Sequence, residues 1–218
     1  MNHLPDASAS LADCLQYIAD AGLIGLGIPP AEGGQGGSEA DLAMALQGLR
    51  KRWAFAAEVL QSQRLSVEAL RRCRNRGLSE YRLPALLDGS VFGAWPGVAM
   101  QTLAQLGSAS VLATDTGRGL RLSGPIGSIL HPQGCTFIVL SPVQWDAQHP
   151  PGLALLDSEQ DGLHLTPQAA SGSPQRRALL TLDQLFFRED ELLEADASQL
   201  VIGLLLTYQA LARRLGPG

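Results

Sequence analysis

Carboxylates, imidazoles, thiols and guanidinium groups are the side chains of this chain that could do chemistry, and their spacing decides what kind. Glu189, Glu191 and Glu194 stand together in one acidic stretch. A carboxylate serves as a general base only within hydrogen-bond reach of the proton it removes. These three read more simply as the first turn of a helix, where acidic side chains suit the dipole. His3, His131, His149 and His164 are scattered, and Cys14, Cys73 and Cys135 lie far apart. Neither set has metal-site or disulfide spacing, so a reducing cytoplasm is the simplest setting. No Ser-His-Asp or Cys-His arrangement carries a nucleophile signature such as G-x-S-x-G, and Gly107-Ser108 lacks the flanking pattern. Gly33-Gly34-Gln35-Gly36-Gly37 suggests a phosphate cradle, but without Gly-Lys-Ser/Thr it is not a P-loop. Arg71, Arg72, Arg74 and Arg76 form a basic cluster that could meet an anion or an acidic partner surface. A solvated helix end before Gly77, with cations near the C-terminus, explains it more simply. Arg50-Lys51-Arg52 has the same reading.

Composition bounds the partners. The net charge of −5 argues against a nucleic-acid binder, which needs a basic face. Charged residues are only 17% of the chain, which hints that a partner covers some surface. The first ten residues are polar and show no secretory signal. The most apolar run, Leu200–Leu206, falls far short of the roughly 20 residues that span a bilayer.

The elements that position these groups change in character along the chain. Residues 1–90 read as a helical domain. Ser8 or Ser10 caps a helix over Leu11–Ala21, and Ser38 precedes a helix over Ala40–Leu49 with Leu42, Leu46 and Leu49 on one face. Trp53–Leu60 and Ser66–Arg74 continue as helix, with Leu65, Val67, Leu70 and Cys73 buried and Gly77 as the stop. Leu83–Leu87 makes a further short helix. Residues 91–188 read as a β-barrel domain. Its strands are expected at Ser110–Thr114, Leu120–Ser123, Thr136–Leu140, Gly152–Leu156, Gly162–Thr166 and Leu179–Phe187, with loops at 144–151 and 167–177. Residues 189–218 open a third, helical region. Ala197–Leu215 is apolar almost all round, which predicts burial. Either it packs back on the first two domains or a second chain covers it; the second chain is the favoured reading, making a homo- or hetero-oligomer.

The run Gly22-Leu23-Ile24-Gly25-Leu26-Gly27-Ile28-Pro29-Pro30-Ala31-Glu32-Gly33-Gly34-Gln35-Gly36 resembles the pattern GL-x-G-x-x-x-P-x-x-x-GG-x-G of the acyl-CoA dehydrogenase family. Leu83-Pro84 through Gly93-Ala94 resembles that family's entry to its β-domain. Gly119–Gly124 resembles its hairpin G-[WY]-x-L-[NS]-G, and Leu180–Phe187 resembles its last strand. The resemblance implies an α+β fold: an N-terminal α-helical domain, a β-barrel domain and a terminal helix. It also makes the glycine loop a structural turn.

The family's chemistry is flavin-dependent acyl-CoA oxidation in fatty acid metabolism. FAD accepts a hydride while a glutamate in a C-terminal bundle removes a proton. The sequence ends at Gly218, before such a bundle, so no catalytic residue is assigned; Glu189, Glu191 and Glu194 are not substitutes. The resemblance places cofactor contacts at Ala94, Trp95 and Pro96, where the family reads T-E-P-x-A-G-S-D, and at Ser128 and Leu130, where it reads [WF]-[IV]-[TS]-N. Ser128 falls at the aromatic position, Leu130 at the hydroxyl position and His131 at the Asn position. The flavin-facing side chains are thus replaced, and His131 reads as a solvent-exposed loop residue. Trp95 could stack on a ring or fill the core. The basic cluster could meet a CoA phosphate.

Two functions follow as expectations. One is FAD-dependent acyl-CoA oxidation with a partner chain supplying the bundle and the base. The other is a cofactor-free homologue acting as a structural or binding subunit. A decayed gene product without activity is a third reading.

Overall fold

The structure, a computed structural model, describes residues 9–168 and 176–214. The expected N-terminal polar stretch with His3, most of the expected loop 167–177, and Leu215 fall outside them.

Helix α1 (Leu11–Asp20) starts at a capping box. Ser10 Oγ accepts from the Asp13 N–H, and the Asp13 carboxylate accepts from the Ser10 N–H at 2.9 Å. Ser38 and Asp41 repeat this device at α2 (Glu39–Arg52). Between them the chain makes tight turns, where Gly34 leaves no room for a side chain: a Cβ there would lie 2.2 Å from Ile28 O.

One helix, α3 (Ala54–Arg72), replaces the two expected runs. The polar residues Ser62 and Gln63 do not interrupt it, because neighbouring backbone satisfies them. It ends at Cys73 rather than Gly77. Asn75 Oδ1 then accepts from Leu78 N–H and caps α4 (Arg76–Leu87), with Gly77 inside the first turn. Helix α3 is the centre of the helical layer: Ala56, Val59, Leu60, Val67 and Leu70 are all buried.

Strand β1 (Phe92–Ala94) leads to α5 (Gly97–Leu106). The remaining strands are β2 (Val111–Asp115), β3 (Leu120–Leu130), β4 (Phe137–Gln144), β5 (Gly152–Asp157), β6 (Leu163–Gln168), β7 (Arg177–Phe187) and β8 (Leu192–Glu194). They form an eight-stranded sheet in the order β6-β7-β3-β2-β4-β5-β8, with β1 parallel to β4. β3 runs past the expected end at Ser123. Register shifts at Leu122/Gly124 and Pro125/Gly127 let it carry Gly124 and Pro125 without losing β7. The expected helix start at Glu189–Glu194 is instead a 3-10 turn followed by β8.

Helix α6 (Ser198–Arg214) follows β8. It packs back on α2, α3 and α5, which bury Val201, Leu204 and Tyr208. Its apolar residues point several ways because several helices surround it. Leu206 remains 59% exposed. No helix among the described residues is long and apolar enough to cross a membrane.

Candidate functional site

A buried polar belt on α3 holds the helical layer to the sheet. Gln63 Nε2 donates to Leu86 O (2.7 Å) and Val91 O (3.0 Å), and Gln63 Oε1 accepts from Gly93 N–H (2.7 Å). Ser62 Oγ donates to Gly93 O (2.8 Å) and accepts from Trp95 N–H (3.0 Å). A Cβ at Gly93 would sit 2.5 Å from Ser66 Cβ, so only glycine lets β1 approach the helix this closely.

Where β1 leaves α3, a cavity of about 200 Å³ opens between α3, the start of α5, and the ends of β3 and β7. Leu65, Trp95 and Leu130 form its apolar wall, and Glu58, Gln61 and Arg177 line the rest together with Ser62 and Gly97. Arg177 Nη2 lies 3.2 Å from Glu58 Oε2, both side chains being half-exposed. Arg50 Nη2 donates to Gln61 Oε1 at 3.3 Å. The Arg176 guanidinium stacks on Phe55 at 4.1 Å from the ring centroid.

Of the five cofactor positions that the resemblance nominated, Trp95 and Leu130 line this cavity. Ala94 is fully buried in β1, and Pro96 is buried at the N-terminus of α5. Ser128 is half-buried, and its hydroxyl donates to Gln168 Oε1 on β6 at 2.7 Å. Leu130 is 6% exposed and apolar where the family pattern has a hydroxyl. His131 is half-buried at the end of β3 rather than exposed, its N–H bonded to Arg176 O.

The other singled-out groups are engaged elsewhere. The N–H groups of Gly33, Gly34, Gln35 and Gly36 donate to Pro30, Pro29, Gly25 and Ile28 carbonyls, so this loop is a turn and not a cradle. The arginine cluster lies at the end of α3, with Arg72, Arg74 and Arg76 exposed, and it is paired as well as solvated. Arg71 pairs with Glu32 and Glu68, Arg72 with Glu68, Arg74 with Glu194, and Arg76 donates to Arg71 O. Glu194 is itself buried and accepts from the Arg74 N–H. Burial pushes the Cys14 thiol up to about 12 and raises Cys73 and Cys135, which disfavours the nucleophilic thiolate. Among the described residues no group of three His, Cys, Asp or Glu could hold a metal ion.

Glu58, Gln61 and Arg177 escaped the sequence reading. Glu58 and Gln61 share a helix face at a spacing of three. Nothing local marks Arg177, which the sheet delivers from 119 residues away.

No family model matches the chain, and no curated protein does. Solved structures match its fold. An acyl-CoA dehydrogenase complexed with FAD from Bacillus anthracis superposes with a TM-score of 0.74 at 17% identity over 92% of this chain and 36% of its own. A glutaryl-coenzyme A dehydrogenase in complex with glutaryl-CoA gives 0.76 at 16% identity, over 93% and 53%. The ChsE4-ChsE5 complex from Mycobacterium tuberculosis gives 0.69 at 18% identity, over 92% and 52%. The chain therefore has an acyl-CoA dehydrogenase-like fold and spans about half the length of these structures, or less.

Proposed function

We propose that this chain, with its acyl-CoA dehydrogenase-like fold, is a cofactor-free structural or binding subunit of a larger acyl-CoA dehydrogenase-like assembly. One observation carries the reading: Leu130 turns an apolar side chain to the cavity where the family has a hydroxyl, while the Ser128 hydroxyl is occupied by Gln168. Hydrogen bonds from the protein help orient a flavin; the Leu130 side chain offers none, and the Ser128 hydroxyl proton is already given to Gln168. These replacements support the flavin-free reading.

The assembly part of the reading is supported by exposed apolar side chains on neighbouring helices. Val98 and Leu106 of α5 are 69% and 74% exposed, and Leu206 of α6 is 59% exposed. One of the matched folds is described as a complex of two differently named proteins. With α6 largely covered from within, a homo- or hetero-oligomer would use its outer face.

A second reading has one observation in its favour. The two stretches that hold cofactor contacts in the family converge here, since Trp95 and Leu130 line one cavity. In that reading the chain takes part in FAD-dependent acyl-CoA oxidation, and a helical portion from another chain or segment supplies the base.

The visible absorption spectrum of the purified protein, with and without added FAD, separates the two. A colourless protein that ignores FAD supports the first reading. Stoichiometric bound flavin overturns it in favour of the second.

A further inference from the structure

We propose that the cavity between α3 and the ends of β3 and β7 binds a small organic carboxylate, its apolar part against Leu65, Trp95 and Leu130 and its carboxylate on Arg177. The inference rests on the reading of this chain as a flavin-free binding subunit, and it names the ligand of that site.

Charge points to the anion. In a chain with a net charge of −5, the Arg177 guanidinium lines this cavity, and Arg50 bonds the Gln61 side chain in its wall. Arg177 pairs with Glu58, Arg50 bonds Gln61, and Arg176 lies on Phe55, one turn before Glu58. Helix α5 opens at the same cavity through Gly97, and no side chain caps its N-terminus. Its first N–H groups add positive potential on the same side.

The contacts at the mouth are exchangeable. Arg177 and Glu58 are 54% and 53% exposed, and exposed pairs of this kind contribute little. A ligand carboxylate can take Glu58's place on Arg177 at small cost. Gln61 accepts through Oε1 from Arg50, which leaves its amide nitrogen as a donor. Ser62 takes no part, because Gly93 O and Trp95 N–H occupy its hydroxyl.

Size points to a small guest. Pockets for drug-sized ligands hold about 300–1,000 Å³, whereas this one holds about 200 Å³. The wall of Leu65, Trp95 and Leu130 favours a short-chain or aromatic acid over a bare inorganic anion, because apolar burial drives binding.

Benzoate and hexanoate are the probes, titrated into the full chain by calorimetry, with inorganic phosphate and benzyl alcohol as controls. Both carboxylates are expected to bind and both controls to fail. Arg177→Gln should weaken benzoate at least about tenfold, the effect of removing one charge-assisted hydrogen bond. Glu58→Gln should tighten it, because the competing carboxylate is gone. A merely structural ion pair would make both variants move the same way. Unchanged benzoate binding in Arg177→Gln overturns the proposal, as does weakened binding in Glu58→Gln or no carboxylate binding by folded protein. Phosphate binding as tight as benzoate would mark an unselective anion site and overturn it too. The flavin spectrum is read on the same sample. FAD-free protein without carboxylate binding sinks this inference alone, while bound FAD sinks the reading beneath it.

Discussion

The Gln63 side chain and the Gly93 peptide form a two-sided clamp: Gln63 Oε1 accepts the Gly93 N–H at 2.7 Å while its Nε2 reaches the carbonyls of Leu86 and Val91. Gln63 is fully buried, so no water can replace these bonds. Gln63→Leu would orphan a buried N–H and two carbonyls. Leaving one buried group unsatisfied costs about 1–3 kcal/mol, so a loss of about 3 kcal/mol or more is expected. Urea unfolding checks it, and a loss below about 1 kcal/mol would show that β1 finds other partners.

Two glycines should respond with opposite signs. A Cβ at Gly34 would meet Ile28 O at 2.2 Å, a backbone atom that cannot swing away. Gly34→Ala should therefore destabilise by about 1–3 kcal/mol, as overpacking does. A Cβ at Gly203, inside α6, meets nothing. There Gly203→Ala should stabilise by about 0.5–1 kcal/mol through helix propensity. Thermal melts of the two variants test both signs at once.

What could be read from the sequence was local. Ser10 and Ser38 announce their helices because a cap and its partner lie three residues apart. Helix α5 hid behind Pro96-Gly97, which looks like a loop although Met100 and Leu103 behind it are buried. β3 hid behind Gly124-Pro125, since a bulge depends on β7 and not on its own residues. The apolar surround of α6 was visible, but not which helices cover it, because α2 and α3 lie far back in the chain. Of the residues lining the cavity, Trp95 and Leu130 stand at positions that the family resemblance singles out. Its charged half, Glu58 and Arg177, exists only once the fold is made.

Alkaline pH should loosen the fold through a buried thiol and a buried phenol. Burial raises Cys14 from 9.0 to about 12, and Tyr208 from 10.0 to about 12. Their native forms stay neutral where the unfolded forms ionise. Stability from these groups is fully present below pH 9 and is lost as pH rises from 9 toward 12. A melting temperature, measured in reducing buffer, should be flat near pH 8 and fall above pH 9. The Cys14→Ala variant should fall less steeply relative to its own value at pH 8. An equal slope would mean that another group controls the alkaline limb.

Glu68, rather than Arg64, should prove the organiser of the buried ion cluster. Arg64 Nη2 lies 2.8 Å from Glu68 Oε1, with side-chain exposures of 4% and 6%. Glu68 also holds Arg71 at 2.8 Å and Arg72 at 3.3 Å. Arg64→Met removes one of three cations and leaves the carboxylate paired, although Ile24 O loses a 2.6 Å bond. That loss should be about 1–3 kcal/mol, the range for one unsatisfied buried group, partly offset by methionine packing. Glu68→Ala leaves three guanidinium groups facing one another around a hole. Removing one partner of a buried pair costs about 3–5 kcal/mol, and here the repulsion among the remaining cations adds to it. High salt should narrow the gap, because Arg72 is 42% exposed and its charge can be screened. Urea unfolding of both variants at low and high salt decides the ranking. If Arg64→Met proves the more damaging, the cluster depends on the Arg64 bond to Ile24 O and not on the shared carboxylate.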